Sequence, residues 1–176
     1  QLELAQAWAQ SGRGADAARG YSLALSEPSE SPLETWRALE LRRLRAEQLL
    51  RSGHIDEGLA AVREVLDQLG MTLAKTPTRA VMALLFRRFH LWFRGLSFVE
   101  TPASRIAPEL LQRIDACWAV SMGLAMVDTI RGAGFQTRQL LFALEAGEPQ
   151  RVARALSAEA AFVATGGIGS AARAAE

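Results

Sequence analysis

Lysine is nearly missing from this chain. Lys75 is the only one, and apart from two histidines every other basic residue is arginine. Basic and acidic residues number 20 and 19, so the formal net charge of +1 leaves no overall field to draw the chain onto nucleic acid or an anionic membrane. The arginine bias fits a high-GC genome, and arginine serves ion pairs well. Cysteine is as scarce. Cys117 stands alone, so it cannot close an internal disulfide or complete a zinc site, and it suits a reducing cytoplasm. The sequence shows no signal-peptide pattern and no run of about 18 uncharged apolar residues, so a cytoplasmic chain with no membrane partner is expected.

Catalytic patterns are missing too. A nucleotide-binding loop needs Gly-x-x-x-x-Gly-Lys-Ser/Thr, whereas Lys75 stands in Leu73-Ala74-Lys75-Thr76-Pro77 with no glycine frame. Gly166-Gly167-Ile168-Gly169 has no strand before it, so it reads as a joint rather than a dinucleotide turn. His54, Asp56 and Glu57 are adjacent turn residues that converge poorly on one ion, and the acids favour the start of the following helix. Cys117, between Ala116 and Trp118, reads as a small packed hydrophobe. Neither His54 nor His90 is read as paired with a serine or cysteine nucleophile, so no catalytic residue, cofactor or metal ligand is expected.

Helical period is what the chain has in abundance. All six prolines fall where helices should start or be separated, and no alternating strand pattern competes. The apolar spacing predicts eight helices, over 2–11, 14–26, 33–52, 55–69, 77–95, 108–127, 130–146 and 149–165. Thr76 and Asp128 or Thr129 are expected N-caps, and Gly70 and Gly147 C-terminal stops. Glu148 reads as a helix start, and residues 166–176 as the start of a further, truncated helix. Both ends of the sequence carry a helical pattern, as a segment of a longer protein would.

Three hinges echo one another: Ala9-Gln10-Ser11-Gly12, Leu50-Arg51-Ser52-Gly53 and Leu144-Glu145-Ala146-Gly147. A helix, a glycine and a second helix repeated in this way is the grammar of stacked helical hairpins, none of which can bury its faces alone. The expected hairpins are 1–27, 33–70, 77–128 and 130–165. In the first, Leu4-Ala5 with Trp8, then Ala17, Tyr21 and Ala24, match the tetratricopeptide pattern with substitutions. The second matches more loosely through Ala46, Gly58, Val62 and Val65, and the third keeps the hinge and the apolar phase. Gly12 to Gly53 spans 41 positions (53 − 12), longer than the roughly 34 of a standard repeat. The expected fold is therefore an all-α, single-domain superhelix of tetratricopeptide-like hairpins, an α-solenoid.

On a helical wheel of residues 77–95, Arg79, Ala83, Arg87, His90 and Arg94 gather on one narrow face. Val81, Met82, Leu85, Phe86, Phe89, Trp92 and Phe93 fill a broad opposite one, which should be covered on two sides. Arg79, Arg87, His90 and Arg94 are the candidate partner-binding residues, for an acidic partner or phosphates; a solvated face paired with acids is the competing reading. Arg42, Arg43 and Arg45 alternate with Glu40 and Glu47, which reads as intrahelical pairing. Trp36, Phe86, Phe89, Trp92 and Trp118 read as core aromatics. Residues 116–127 form a nearly all-apolar stretch with Ala119, Ser121, Gly123 and Ala125 as small contacts, the mark of a central helix.

The run from Leu49 to Leu59, Arg87-Arg88-Phe89 to Arg94-Gly95-Leu96, Ile114-Asp115-Ala116-Cys117-Trp118 through Met126 to Ala133, and Ala146-Gly147-Glu148-Pro149 together carry a resemblance. Over roughly residues 36–166 the chain resembles the tetratricopeptide-like helical region downstream of the ATPase in large bacterial proteins that join a serine/threonine protein kinase to a STAND-type AAA ATPase. The resemblance implies a sensor or autoinhibitory module in signal transduction. Its partners would be a protein or peptide, including the ATPase and kinase domains of the same polypeptide. None of the kinase or ATPase motifs lies in this segment, so no catalytic residue carries over. Gly134 stands where relatives would carry an acid. The alternative is the superhelical arm of a STAND-type transcriptional regulator with its basic face near DNA, although the net charge argues against direct nucleic-acid contact.

Overall fold

The computed structural model describes residues 2–26, 32–125 and 127–164, and within the third helix the side chains from Arg37 onward. The Ser/Glu linker with Pro28, the Trp36 side chain, and the 166–169 joint with its following helix lie outside the described residues. Eight α-helices and one short 3-10 turn account for the secondary structure, with no strand among the described residues. They are α1 (Leu2–Gln10), α2 (Gly14–Leu25), α3 (Pro32–Arg51), α4 (Ile55–Gln68), α5 (Pro77–Arg94), α6 (Pro108–Leu124), α7 (Thr129–Ala146) and α8 (Pro149–Ala164). The expected helices are all present, with ends displaced by a few residues at most. None is long and apolar enough to cross a membrane.

Two compact units divide the chain, the first comprising residues 1–73 and 122–127 and the second residues 74–121 and 128–176. In the first unit each helix packs on the next, α1 on α2, α2 on α3 and α3 on α4. Small residues set the approach of α1 to α2. A Cβ added at Gly20 would lie 2.7 Å from the Cβ of Ala5, and Ala5, Ala17 and Tyr21 are buried around that contact. These are the positions that carry the tetratricopeptide pattern. α3 packs on α4, and Ala46, Leu49 and Leu50 of the one and Val62, Val65 and Leu66 of the other are buried.

The hinge repeat persists in the hydrogen bonds. Gly12 and Gly53 have φ of 79° and 84°, and the following N–H reaches back six-to-one, Arg13 to Trp8 O and His54 to Leu49 O, each at 2.9 Å. This closes the last turn on carbonyls that would otherwise be left open, and only glycine enters the left-handed region cheaply. Gly147 shares the conformation, but its own N–H closes the turn on Ala143 O at 2.9 Å.

In the second unit α5 and α8 both pack on α7. Leu91, Ile114, Leu140, Ala143, Leu144, Val152 and Ala155 form its buried core. Thr76 caps α5 by accepting from the Arg79 N–H, and Asp128 caps α7 by accepting from Arg131 N–H. Asp115 on α6 accepts from Arg151 at 2.6 Å and also pairs with Arg154, tying α6 to α8.

Glu148 is buried at the start of α8, where it accepts from the N–H groups of Gln150 at 3.1 Å and Arg151 at 2.9 Å and pairs with the Arg151 guanidinium. Burial alone would raise its carboxyl, but those two N–H groups and the guanidinium outweigh it and hold the group below its usual value of 4.5. A depressed folded-state value contributes stability that is fully present above the unfolded value and lost as pH falls through the folded one. Glu148→Gln should therefore cost about 1–2 kcal/mol at neutral pH. The urea-unfolding curves of variant and parent should converge below pH 4.5; a gap that is independent of pH would contradict the assignment.

Candidate functional site

At 100° per residue, the apolar positions of α5 sweep an arc of about 240°, wider than the roughly 100° stripe that one neighbouring helix covers. Ala80 and Leu91, at one edge of the arc, are buried. Leu84 beside them is half-buried, and the remainder of the arc is exposed, a correction to the expectation that both sides would be covered. Met82 is 62% exposed, Phe86 72%, Phe89 63%, Trp92 77% and Phe93 82%, and Leu85 is also exposed. Leu96 and Val99, after the helix, are exposed too.

The four basic candidates divide. Arg79 and His90 are exposed, while Arg87 and Arg94 are partly buried. Arg94 donates to Gly95 O and Ser97 O, and to Leu144 O in the last turn of α7, each at 3.0 Å. Those are carbonyls that a helix end leaves unpaired, so Arg94 works as an internal clamp. Arg87 lies against α7, where a Cβ added at Gly134 would sit 3.6 Å from its Nη1. Burial and then the neighbouring Arg138 hold Arg87 below the ordinary arginine value. Among the described residues no carboxylate pairs with it.

Arg88, which was not singled out, pairs with Glu159 of α8. Arg87, Arg88 and Arg94 therefore turn their charges toward their own unit, while Arg79 stays exposed and the large apolar side chains from Met82 to Phe93 on the other face of α5 are open. Arg43 bridges Glu40 and Glu47, the intrahelical pairing expected of that cluster.

Sequence reading passed over one contact at His54, whose Nδ1 lies 3.1 Å from Ser52 Oγ. That hydroxyl donates to Gln48 O at 2.7 Å, so its proton is committed to a helix carbonyl. Among the described residues no group of three or more His, Cys, Asp or Glu side chains is placed to hold a metal ion. Cys117 is fully buried, and burial pushes its thiol up to about 12, so it stays protonated at neutral pH. Buried polar groups went unforeseen as well. Gln136 donates to Ala155 O at 3.1 Å, linking α7 to α8, and Gln139 is wholly buried beside it on α7.

Neither protein-family models nor curated proteins nor solved structures yield a match to the chain. The α5 surface therefore has to be read from its own chemistry. Protein interface cores are rich in aromatic residues, Met and Arg and poor in Lys, Glu and Asp. Pro77–Arg94 contains Met, Phe, Trp and Arg and no Lys, Glu or Asp. A monomer's largest exposed apolar patch is typically about 300–600 Å². The exposed parts of Phe86, Phe89, Trp92 and Phe93 alone come to about 600 Å² on the usual burial of an aromatic side chain.

Proposed function

We propose that this chain is a non-catalytic protein-interaction module, a stack of tetratricopeptide-like hairpins whose docking surface is the outward face of α5. The exposed aromatic row from Phe86 to Phe93 carries the reading, because leaving it in water forfeits burial that Leu91, Ile114, Leu140 and Leu144 of the same unit secure. The resemblance supplies the setting. In it the module acts as a sensor or autoinhibitory arm in the cytoplasm, reporting to a STAND-type ATPase and a serine/threonine kinase in the same polypeptide. Arg94 and Arg87, engaged with their own unit, lend that role less than the sequence suggested, and the aromatic row lends it more.

A photo-crosslinker placed at Phe86 or Phe93 should capture a protein surface, with the ATPase region of the same polypeptide as the first partner to test. Phe93→Glu should weaken that contact at least about tenfold. No crosslink from α5 in any nucleotide state would overturn the reading.

A further inference from the structure

Four of the exposed apolar side chains of α5 are spaced with the register of a helix seam. Met82, Phe86, Phe89 and Phe93 follow one another at steps of four, three and four, the spacing of the a and d positions at which one helix packs along another. The row also reads the same from both ends. Turned end for end about its midpoint, Met82 falls on Phe93 and Phe86 on Phe89, so large apolar residues meet large apolar residues in both directions. Self-complementarity of this kind is what a two-fold symmetric interface requires.

Charge supports the same pairing. The seam carries no charge, Arg88 is paired with Glu159, and Arg94 is bonded to carbonyls of its own unit, so bringing two seams together sets no like charges against each other. Lys75 and Arg79 are exposed at the start of α5 and Glu100 is exposed beyond its end, so reversing one copy turns opposite signs toward each other. The area is adequate as well. The four aromatics expose about 600 Å², and Met82 and Leu85 bring the face to the roughly 800 Å² per partner of a standard interface.

We infer that the outward face of α5 is covered by a second copy of this chain, with the two α5 helices antiparallel and related by a two-fold axis between Phe86 and Phe89. The inference rests on the reading of α5 as a docking surface and names its occupant. Met82 of each copy packs on Phe93 of the other, the two Phe86–Phe89 pairs fill the middle, and Trp92 and Leu85 close the flank.

Sedimentation velocity on the chain should give the mass of two chains in the micromolar range. Phe86→Glu with Phe89→Glu should raise the dissociation constant at least about a hundredfold while leaving the far-ultraviolet dichroism unchanged, because both side chains are exposed. Cysteine trapping tests the direction. A mixture of Met82→Cys chains and Phe93→Cys chains should give a mixed disulfide dimer, and Met82→Cys alone should not cross-link to itself. Native Cys117 is fully buried and does not interfere. Self-linking of Met82→Cys, a dimer that survives the double Glu substitution, or a monomer that binds phosphatidylglycerol vesicles through α5 would each overturn the inference. A monomer that still crosslinks from Phe86 to the ATPase region would sink the second copy and leave the docking surface standing. A monomer with no α5-dependent contact would sink both.

Discussion

Replacing Gly147 with alanine should remove about 3–4 kcal/mol from the unfolding free energy measured in urea, and three separate costs add to that figure. The residue has φ of 73°, where a Cβ meets the following carbonyl at a cost of about 1 kcal/mol. The new Cβ would also stand 2.0 Å from Val99 O and 3.1 Å from Val99 C. Both are backbone atoms that no rotamer change can move. The segment after α5 would have to lift away, breaking the bond at 2.9 Å from the Thr101 N–H to Gly147 O. That displacement would also disturb the carbonyls of Gly95 and Ser97 that hold the Arg94 guanidinium. Gly12 provides the control, since its φ is 79° and nothing lies within 4 Å of its added Cβ. Gly12→Ala should therefore cost only about 1 kcal/mol. Equal losses at the two hinges would mean that backbone conformation alone, and not the crowding at Gly147, sets the requirement for glycine.

This contrast also marks how far the sequence could be read. The hinges were legible because glycine at a helix end and proline at a helix start act locally, through φ and through a missing N–H, whatever the surroundings. The caps followed for the same reason. Thr76, Asp128 and Glu148 bond to N–H groups two or three residues ahead, and such bonds are written in the sequence. What surrounds each hinge was not legible, since Val99 stands 48 positions before Gly147 (147 − 99) and no local pattern pairs them. The orientation of α5 was hidden for a different reason. A wheel separates its basic and apolar faces correctly, but an apolar arc of about 240° can be buried from several directions, and the wheel does not say which edge the neighbour takes. Here α7 takes the edge at Ala80 and Leu91, drawing Arg87 and Arg94 inward and leaving the aromatics out. Identifying Arg79, Arg87, His90 and Arg94 as one face was sound geometry. Whether that face or its opposite meets solvent depended on which edge α7 takes, and no pattern local to α5 encodes that choice.

Leu50→Ala should be the most damaging single change in the first unit, and its effect should depend on two glycines. Leu50 is buried, and a Cβ at Gly58 would meet its Cδ2 at 2.7 Å and its Cγ at 2.8 Å, while a Cβ at Gly123 would meet its Cδ1 at 2.4 Å. The isobutyl group thus occupies a slot that exists because both facing positions lack side chains. Truncating it removes the transfer free energy of three carbons and leaves a cavity walled by helix backbone that cannot easily collapse, a loss of about 3–4 kcal/mol. Gly123→Ala alone should cost about 1–2 kcal/mol, because Leu50 must leave its rotamer to admit the methyl group. Combined, the two changes should be far less harmful than their sum. The new methyl would enter the space that Leu50 vacates, and alanine is better than glycine inside a helix by about 1 kcal/mol. A double-mutant cycle in urea should therefore return a favourable coupling of about 2 kcal/mol between positions 50 and 123. Gly58→Ala should rescue Leu50→Ala to a similar degree, since each added Cβ keeps one contact at 3.1 Å that truncation does not remove, to the Leu50 N from position 58 and to the Leu50 Cβ from position 123. Additive losses at 50 and 123 would show that Leu50 is held by other neighbours, and that the glycines serve the approach of the helix backbones instead.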